Sequence, residues 1–247
     1  MHTNLNGKVA FISGGSRGIG AATARRLARD GATVAIGFQA SAIAAEALVA
    51  EIEARGGKAI AVKADAADAV ALTRAIDSVA ERFGRLDILV NSAGVLLLDT
   101  VDNLSLEDFD RTVAVNVRGA FVAAKAAAAH MRQGGRIINI SSTNAGRMPF
   151  SGGSVYAMSK SALTGMVKGL ARDLGSRGIT VNNVNPGPID TDMNPAGSEF
   201  AASLHGLMAL PRHGHVDEVA GMVAYLASAE AGFVTGADIL IDGGFAA

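Results

Sequence analysis

The chain has 247 residues, 49% hydrophobic and 18% charged, with 22 Lys plus Arg against 23 Asp plus Glu, a net charge of −1. That composition excludes a disordered polyelectrolyte, and without a basic run interleaved with aromatics it argues against a nucleic-acid partner. No charge-free apolar run approaches the ~20 residues a membrane helix needs, and the absence of cysteine rules out a disulfide framework. The N-terminal MHTNLNGKVAFISGG lacks the pattern of a secretion signal, so a cytoplasmic location is expected.

Along the chain, short β-branched runs alternate with alanine-rich helical stretches. The strands are expected at KVAFIS (from 8), TVAIGF (33), KAIAVKA (58), LDILVNS (86), GRIINIS (135), ITVNNVN (179) and DILID (238). Helices are expected over 19–30, 41–55, 68–83, 107–132, 155–176 and 216–228. Continuous apolar strands separated by helices indicate a parallel sheet buried on both faces, so the expected fold is α/β, a seven-stranded doubly wound sheet. No proline-rich linker or low-complexity tract divides the chain, and one domain over 1–247 is the expectation. The exception to the alternation is 186–212, which carries four of the five prolines and suits a cover over a substrate site, with its insertion at about 190–212.

Three groups of residues carry chemistry. The first follows the opening strand: Gly14, Gly18 and Gly20 lie in a turn leading into a helix. Such a turn lets backbone approach a pyrophosphate, and the helix N-terminus offers unpaired N–H groups to it. The second is YAMSK, where Tyr156 and Lys160 are four residues apart and share one helix face. Alone this is also an ordinary surface pair; as chemistry, an ammonium beside a phenol favours the phenolate and equips tyrosine for proton transfer. The third is Asn116, a polar residue in an apolar helix, where a buried amide needs partners. The histidines at 2, 130, 205, 213 and 215 show no helical ligand spacing, and Asp190 and Asp192 have no histidine companions, so no metal is expected.

Together these motifs resemble the classical short-chain dehydrogenase/reductase family. The glycines follow its Gly-x3-Gly-x-Gly spacing, and NSAG at 91–94 is similar to its Asn-Asn-Ala-Gly motif with Ser92 substituted. Asn116 in VAVNVRG, INISS, YAMSK and NPGPIDTDM at 185–193 follow in the family order over residues 7–245. The resemblance implies a Rossmann fold, a homotetramer, and catalysis by Asn116, Ser142, Tyr156 and Lys160. In it Ser142 rather than Ser141 holds the substrate carbonyl, Lys160 also binds the nicotinamide ribose, and Asn116 holds a water beside Lys160.

The resemblance places cofactor contacts at Gly14, Ser16, Arg17, Gly18, Ile19 and Gly20, at Ala93 and Gly94, and at Pro186, Gly187, Ile189 and Thr191. Asp65 would meet the adenine and Asn91 the adenosine side. Phe38 stands where NAD-specific relatives carry an acid at the end of the second strand; with Arg17 and Ser41 nearby this favours NADP(H). NAD(H) stays open because no Lys or Arg follows Phe38. Leu96, Leu97, Leu98 and Met148 make the expected substrate pocket apolar, and the apolar face of an amphipathic helix over 194–210, with Phe200, Leu204, Leu207 and Met208, is expected either to pack on the core or to cap the substrate.

The implied activity is an NAD(P)-dependent carbonyl or 3-oxoacyl reductase acting on a small-molecule ketone or its alcohol, without a membrane or nucleic-acid partner. The C-terminal segment from DTDMNPAG onward also looks like bacterial family members described as cyclic-di-GMP-binding mediators of biofilm dispersal. A regulatory protein without important turnover is the alternative.

Overall fold

A computed structural model describes residues 3–247. Among these residues, seven strands form one wholly parallel sheet in the order β3-β2-β1-β4-β5-β6-β7. They are β1 (Val9–Ser13), β2 (Thr33–Phe38), β3 (Lys58–Lys63), β4 (Ile88–Asn91), β5 (Arg136–Ile140), β6 (Thr180–Pro186) and β7 (Asp238–Ile241). The helices are α1 (Gly18–Arg29), α2 (Ala42–Ala54), α3 (Ala69–Phe83), α4 (Leu106–Val113), α5 (Ala120–His130), α6 (Ser154–Gly175), α7 (Glu199–His205) and α8 (Val216–Ala227).

Strand side chains alternate between two cores. Ala10 and Ile12 pack with α1, α2 and α8, whereas Val9 and Phe11 pack with α3, α5 and α6. Both faces are dry, which is why the strands read as unbroken apolar runs rather than alternating ones. Local signals set the helix ends. Asp68 caps α3 by accepting from the N–H groups of Val70 and Ala71 at 2.9 and 3.0 Å, and Gly84 ends it at φ 69°.

The helix expected over 107–132 is one helical run with a π-helical turn, Ala114–Gly119, between α4 and α5. Gly119 explains part of this: a Cβ there would lie 2.5 Å from the Ala66 carbonyl, so the wall of the wide turn abuts the β3–α3 connection. Segment 186–212 departs most from expectation. Only α7 is helical, started by Ser198, whose hydroxyl accepts from Ala201 N–H at 3.1 Å, and followed at once by Gly206. No helix among the described residues is long and apolar enough to cross a membrane.

The sheet order reverses at β1, whose neighbours are β2 and β4. Connections there leave to opposite faces, which opens a crevice beyond the strands' C-terminal ends.

Candidate active site

A cleft of about 610 Å³ occupies that crevice, within the roughly 300–1,000 Å³ usual for small-molecule sites. Its floor is the glycine turn. Gly14 has φ 62°, and a Cβ on it would sit 2.7 Å from the backbone of Ala93. A Cβ on Gly20 would sit 2.3 Å from the Gly14 carbonyl, so α1 starts directly on the turn. Arg17 precedes α1 without a side-chain cap, so the first-turn N–H groups lack intrahelical partners beside the cleft, as an anion site requires.

From this floor the lining runs two ways. Toward the β2–α2 side it takes in Ser16, Arg17, Gly18, Ile19, Phe38, Ser41 and Asp65, the residues expected to meet the adenosine half of a cofactor. Toward the chemistry it takes in Ala93, Gly94, Ser142, Tyr156 and Lys160, with Pro186, Gly187, Ile189 and Thr191 opposite. On the β2–α2 side Asp65 is engaged, accepting from Gln39 Nε2 and Ala67 N–H, each at 2.8 Å. The Arg17 guanidinium is exposed and unpaired among the described residues, and Ser41 begins α2 with its hydroxyl unused as a cap. No carboxylate stands at the end of β2.

Tyr156 and Lys160 occupy the start of α6. The Lys160 ammonium lies 5.8 Å from the Tyr156 ring centroid and donates to the Ile140 carbonyl at 2.9 Å. Ser141 fastens the same helix by donating to the Lys160 carbonyl at 3.3 Å, whereas the Ser142 hydroxyl accepts from Asn144 N–H at 3.1 Å and lines the cleft with Tyr156. Burial pushes Lys160 down to about 8, which leaves it mostly charged at neutral pH.

The expectation that Lys160 makes the phenol unusually acidic is corrected. Burial holds Tyr156 above its ordinary range, offset in part by the Ser142 hydroxyl. Tyr156 is half-buried at the cleft, and a phenol held above its ordinary value is protonated at neutral pH. Gly94 keeps the floor clear: a Cβ on it would lie 3.6 Å from Lys160 Nζ and 3.5 Å from Asn116 Oδ1.

Two expected site residues do not reach the cleft. Asn116, on the π turn, accepts from Val95 N–H at 2.9 Å and donates to the Val95 carbonyl and Ser159 hydroxyl at 3.0 Å each. Through these bonds it ties the segment after β4 to α6. Asn91 is buried in the sheet as the first rung of a side-chain ladder. It donates to Asn139 at 2.9 Å, Asn139 to Asn183 at 3.0 Å, and Asn183 to Asp238 at 2.9 Å. These four residues share one register across β4, β5, β6 and β7. A slipped strand would leave buried amides unpaired, so the ladder fixes the strand ends that carry Gly94, Ser142 and Gly187.

The substrate end is apolar. Leu96, Leu98, Phe200 and Leu204 line it, joined by Met193, Phe150 and Phe245. Phe150 and Phe200 meet edge to face at 5.4 Å, with their planes at 85°, across the cleft's outer side. Leu97, Leu207 and Met208 are not part of this lining, nor is Met148, which folds over Gly153 where any Cβ would collide with it. Phe150 and Phe245 escaped the sequence reading. The first lies in an irregular loop and the second at the far end of the chain, and only the Phe between Pro149 and Ser151 offered a local signal.

An open parallel sheet with a glycine cradle and Ser142, Tyr156 and Lys160 at one switch-point cleft defines a dinucleotide-dependent oxidoreductase class. The chain belongs to the short-chain dehydrogenase/reductase family: the family described as "Enoyl-(Acyl carrier protein) reductase" matches residues 14–246. A short-chain dehydrogenase/reductase from Serratia marcescens is 59% identical, with a TM-score of 0.97 over 98% of this chain and 99% of that one. A short chain dehydrogenase from Burkholderia cenocepacia, solved in complex with NADP, is 53% identical with a TM-score of 0.97, covering 99% of this chain and 100% of that one. The "Cyclic-di-GMP-binding biofilm dispersal mediator protein" of Escherichia coli is 49% identical over 98% of this chain and 99% of its own length.

Proposed function

We propose that the protein reduces a ketone or acyl carbonyl to the secondary alcohol with NADPH, reversibly. The observation that carries this is a glycine-floored cleft that ends on Ser142, Tyr156 and Lys160, with the Lys160 ammonium 5.8 Å from the Tyr156 ring centroid. The bound nicotinamide supplies the hydride to the carbonyl carbon. The chain's residues do the rest. Ser142 and Tyr156 hydroxyls hold the carbonyl oxygen, and Tyr156 gives it a proton as negative charge develops there. Lys160 and Ser142 stabilise the phenolate until solvent returns the proton.

The first-turn N–H groups of α1 suit the pyrophosphate. Arg17 and the Ser41 hydroxyl suit a 2′-phosphate, and the absence of an acid at Phe38 removes the repulsion that would exclude one; the NADP complex of the Burkholderia relative supports this preference. The apolar walls suit an unsubstituted alkyl or aryl ketone or a 3-oxoacyl chain. A cytoplasmic homotetramer is the setting that the family resemblance supports.

The second reading rests on the name of the Escherichia coli relative: the cleft would bind cyclic-di-GMP and signal without turnover. The retained Ser142, Tyr156 and Lys160 favour the reductase. Spectrophotometric assay of NADPH oxidation over a ketone panel, run beside calorimetry with cyclic-di-GMP, separates them. Turnover of an apolar ketone supports the reductase; tight cyclic-di-GMP binding with no ketone turned over overturns it.

A further inference from the structure

The cover helix α7 is fastened by a pair of histidines that the chemistry leaves unused. His205, its last residue, approaches His213 with Nε2 2.7 Å from Nδ1, the rings at 78° to each other. Among the described residues this is the one side-chain hydrogen bond from α7 to the rest of the protein; Ser203 and Ser198 bond only within the segment. The two sides differ in rigidity. His213 belongs to the frame, since Gly214 N–H donates to the Pro188 carbonyl and Asp190 N–H to the Gly214 carbonyl, each at 2.9 Å. Arg212 donates to the His213 carbonyl at 3.0 Å and pairs with Glu218 on α8 at 2.8 Å. On the other side, Phe200 and Leu204 of α7 form part of the cleft wall.

We propose that the His205–His213 pair is a latch that holds α7 closed over the substrate end of the cleft, and that double protonation of the pair releases it. A hydrogen bond between two imidazoles needs one N–H and one lone pair. A neutral pair has both, and a singly charged pair keeps them. A doubly charged pair has two N–H groups facing each other and no acceptor.

The surroundings decide where the second proton goes on. His213 is 7% exposed and its Nε2 has no partner, so a charge there would be both desolvated and half-bonded. Burial first, and His205 second, hold His213 below the ordinary histidine value, against the opposing pull of Asp190. The groups that face the pair are thus Asp190 from the loop after β6 and the Arg212–Glu218 ion pair beside α8. His213 therefore keeps its lone pair through neutral pH, and the latch opens only when acid adds a proton there.

The inference rests on the reductase reading only for what lies beneath the cover, so its first readout is independent of activity. Hydrogen–deuterium exchange of amides 200–208 in the full-length protein, corrected for intrinsic rates, should show protection falling about tenfold from pH 7.5 to pH 5. His205→Ala should show that loss already at pH 7.5. His205→Gln, which can donate to neutral His213 and accept from charged His213, should keep protection at both. With a ketone that turns over, His205→Ala should raise its KM about five- to tenfold and leave the NADPH dissociation constant unchanged. Equal protection in wild type and His205→Ala, or an acid loss that persists in His205→Gln, overturns the latch. Absence of ketone turnover with the exchange pattern intact overturns the reductase reading instead.

Discussion

Lys160 gives the account a pH signature that can be worked from the structure. Its proton leaves near pH 8 because the buried ammonium has exchanged water for one carbonyl, that of Ile140. With that value the side chain is about 90% charged at pH 7 and about 10% at pH 9. If the charged form is required to bind the cofactor ribose and support Tyr156, kcat/KM for NADPH, which reports the free enzyme, falls roughly ninefold over that interval. Stability moves oppositely. The unfolded chain keeps this proton to about 10.4, so between the two values it binds more protons than the native state, and the contribution of Lys160 to stability rises with pH by on the order of 3 kcal/mol. Activity loss accompanied by a rising contribution to stability cannot be alkaline unfolding. Stopped-flow NADPH oxidation from pH 6.5 to 9.5, with urea unfolding of wild type and Lys160→Met at each end, measures both. Lys160→Arg, whose guanidinium stays charged, should lose the alkaline limb even if it is slower. A wild-type profile flat to pH 9.5, or an unchanged limb in Lys160→Arg, refutes the reasoning.

Three further substitutions test the parts of the cleft. Gly14→Ala introduces a Cβ 2.7 Å from the Ala93 backbone at φ 62°, so NADPH binding, followed by fluorescence titration, should be lost and the melting temperature lowered. Asn139→Leu removes the middle rung of the ladder and leaves the Asn183 carbonyl and part of the Asn91 amide without partners; chemical unfolding should show a loss of about 2–5 kcal/mol. Ser41→Asp places a carboxylate where the 2′-phosphate would lie, and steady-state assays should give an NADPH KM raised about tenfold or more with the NADH value little changed.

The sheet was legible because its central strands β1, β4, β5 and β6 are buried along their whole length, and a run such as VAFIS admits few other placements. The cradle was legible from local spacing: Gly20 is dictated by its contact with the Gly14 carbonyl within a span of seven residues, although the clash that keeps Gly14 a glycine is with distant Ala93. Local spacing also put Tyr156 and Lys160 on one helix face. Spacing carries no information about solvation, and burial reverses the expected shift of the phenol. Asn91 and Asn116 show what spacing leaves out: an asparagine in an apolar stretch signals only that partners exist, and the partners, Asn139 and Val95, lie elsewhere in the chain. The π turn at 114–119 left no periodic trace, since one extra residue in a turn of a long alanine-rich helix barely alters its pattern. The His205–His213 contact depends on how α7 folds back toward β6, which no local rule in segment 186–212 specifies.

The central claim is that the Tyr156 hydroxyl supplies the proton to a carbonyl oxygen beside the bound cofactor. Tyr156→Phe deletes that hydroxyl and little else, so the direct measurement is single-turnover reduction of a ketone by the NADPH-loaded variant, with NADPH affinity determined on the same sample. The account predicts a rate lowered by about 10² to 10⁴ at unchanged NADPH affinity. A variant that binds NADPH normally and reduces the ketone at the wild-type rate contradicts it.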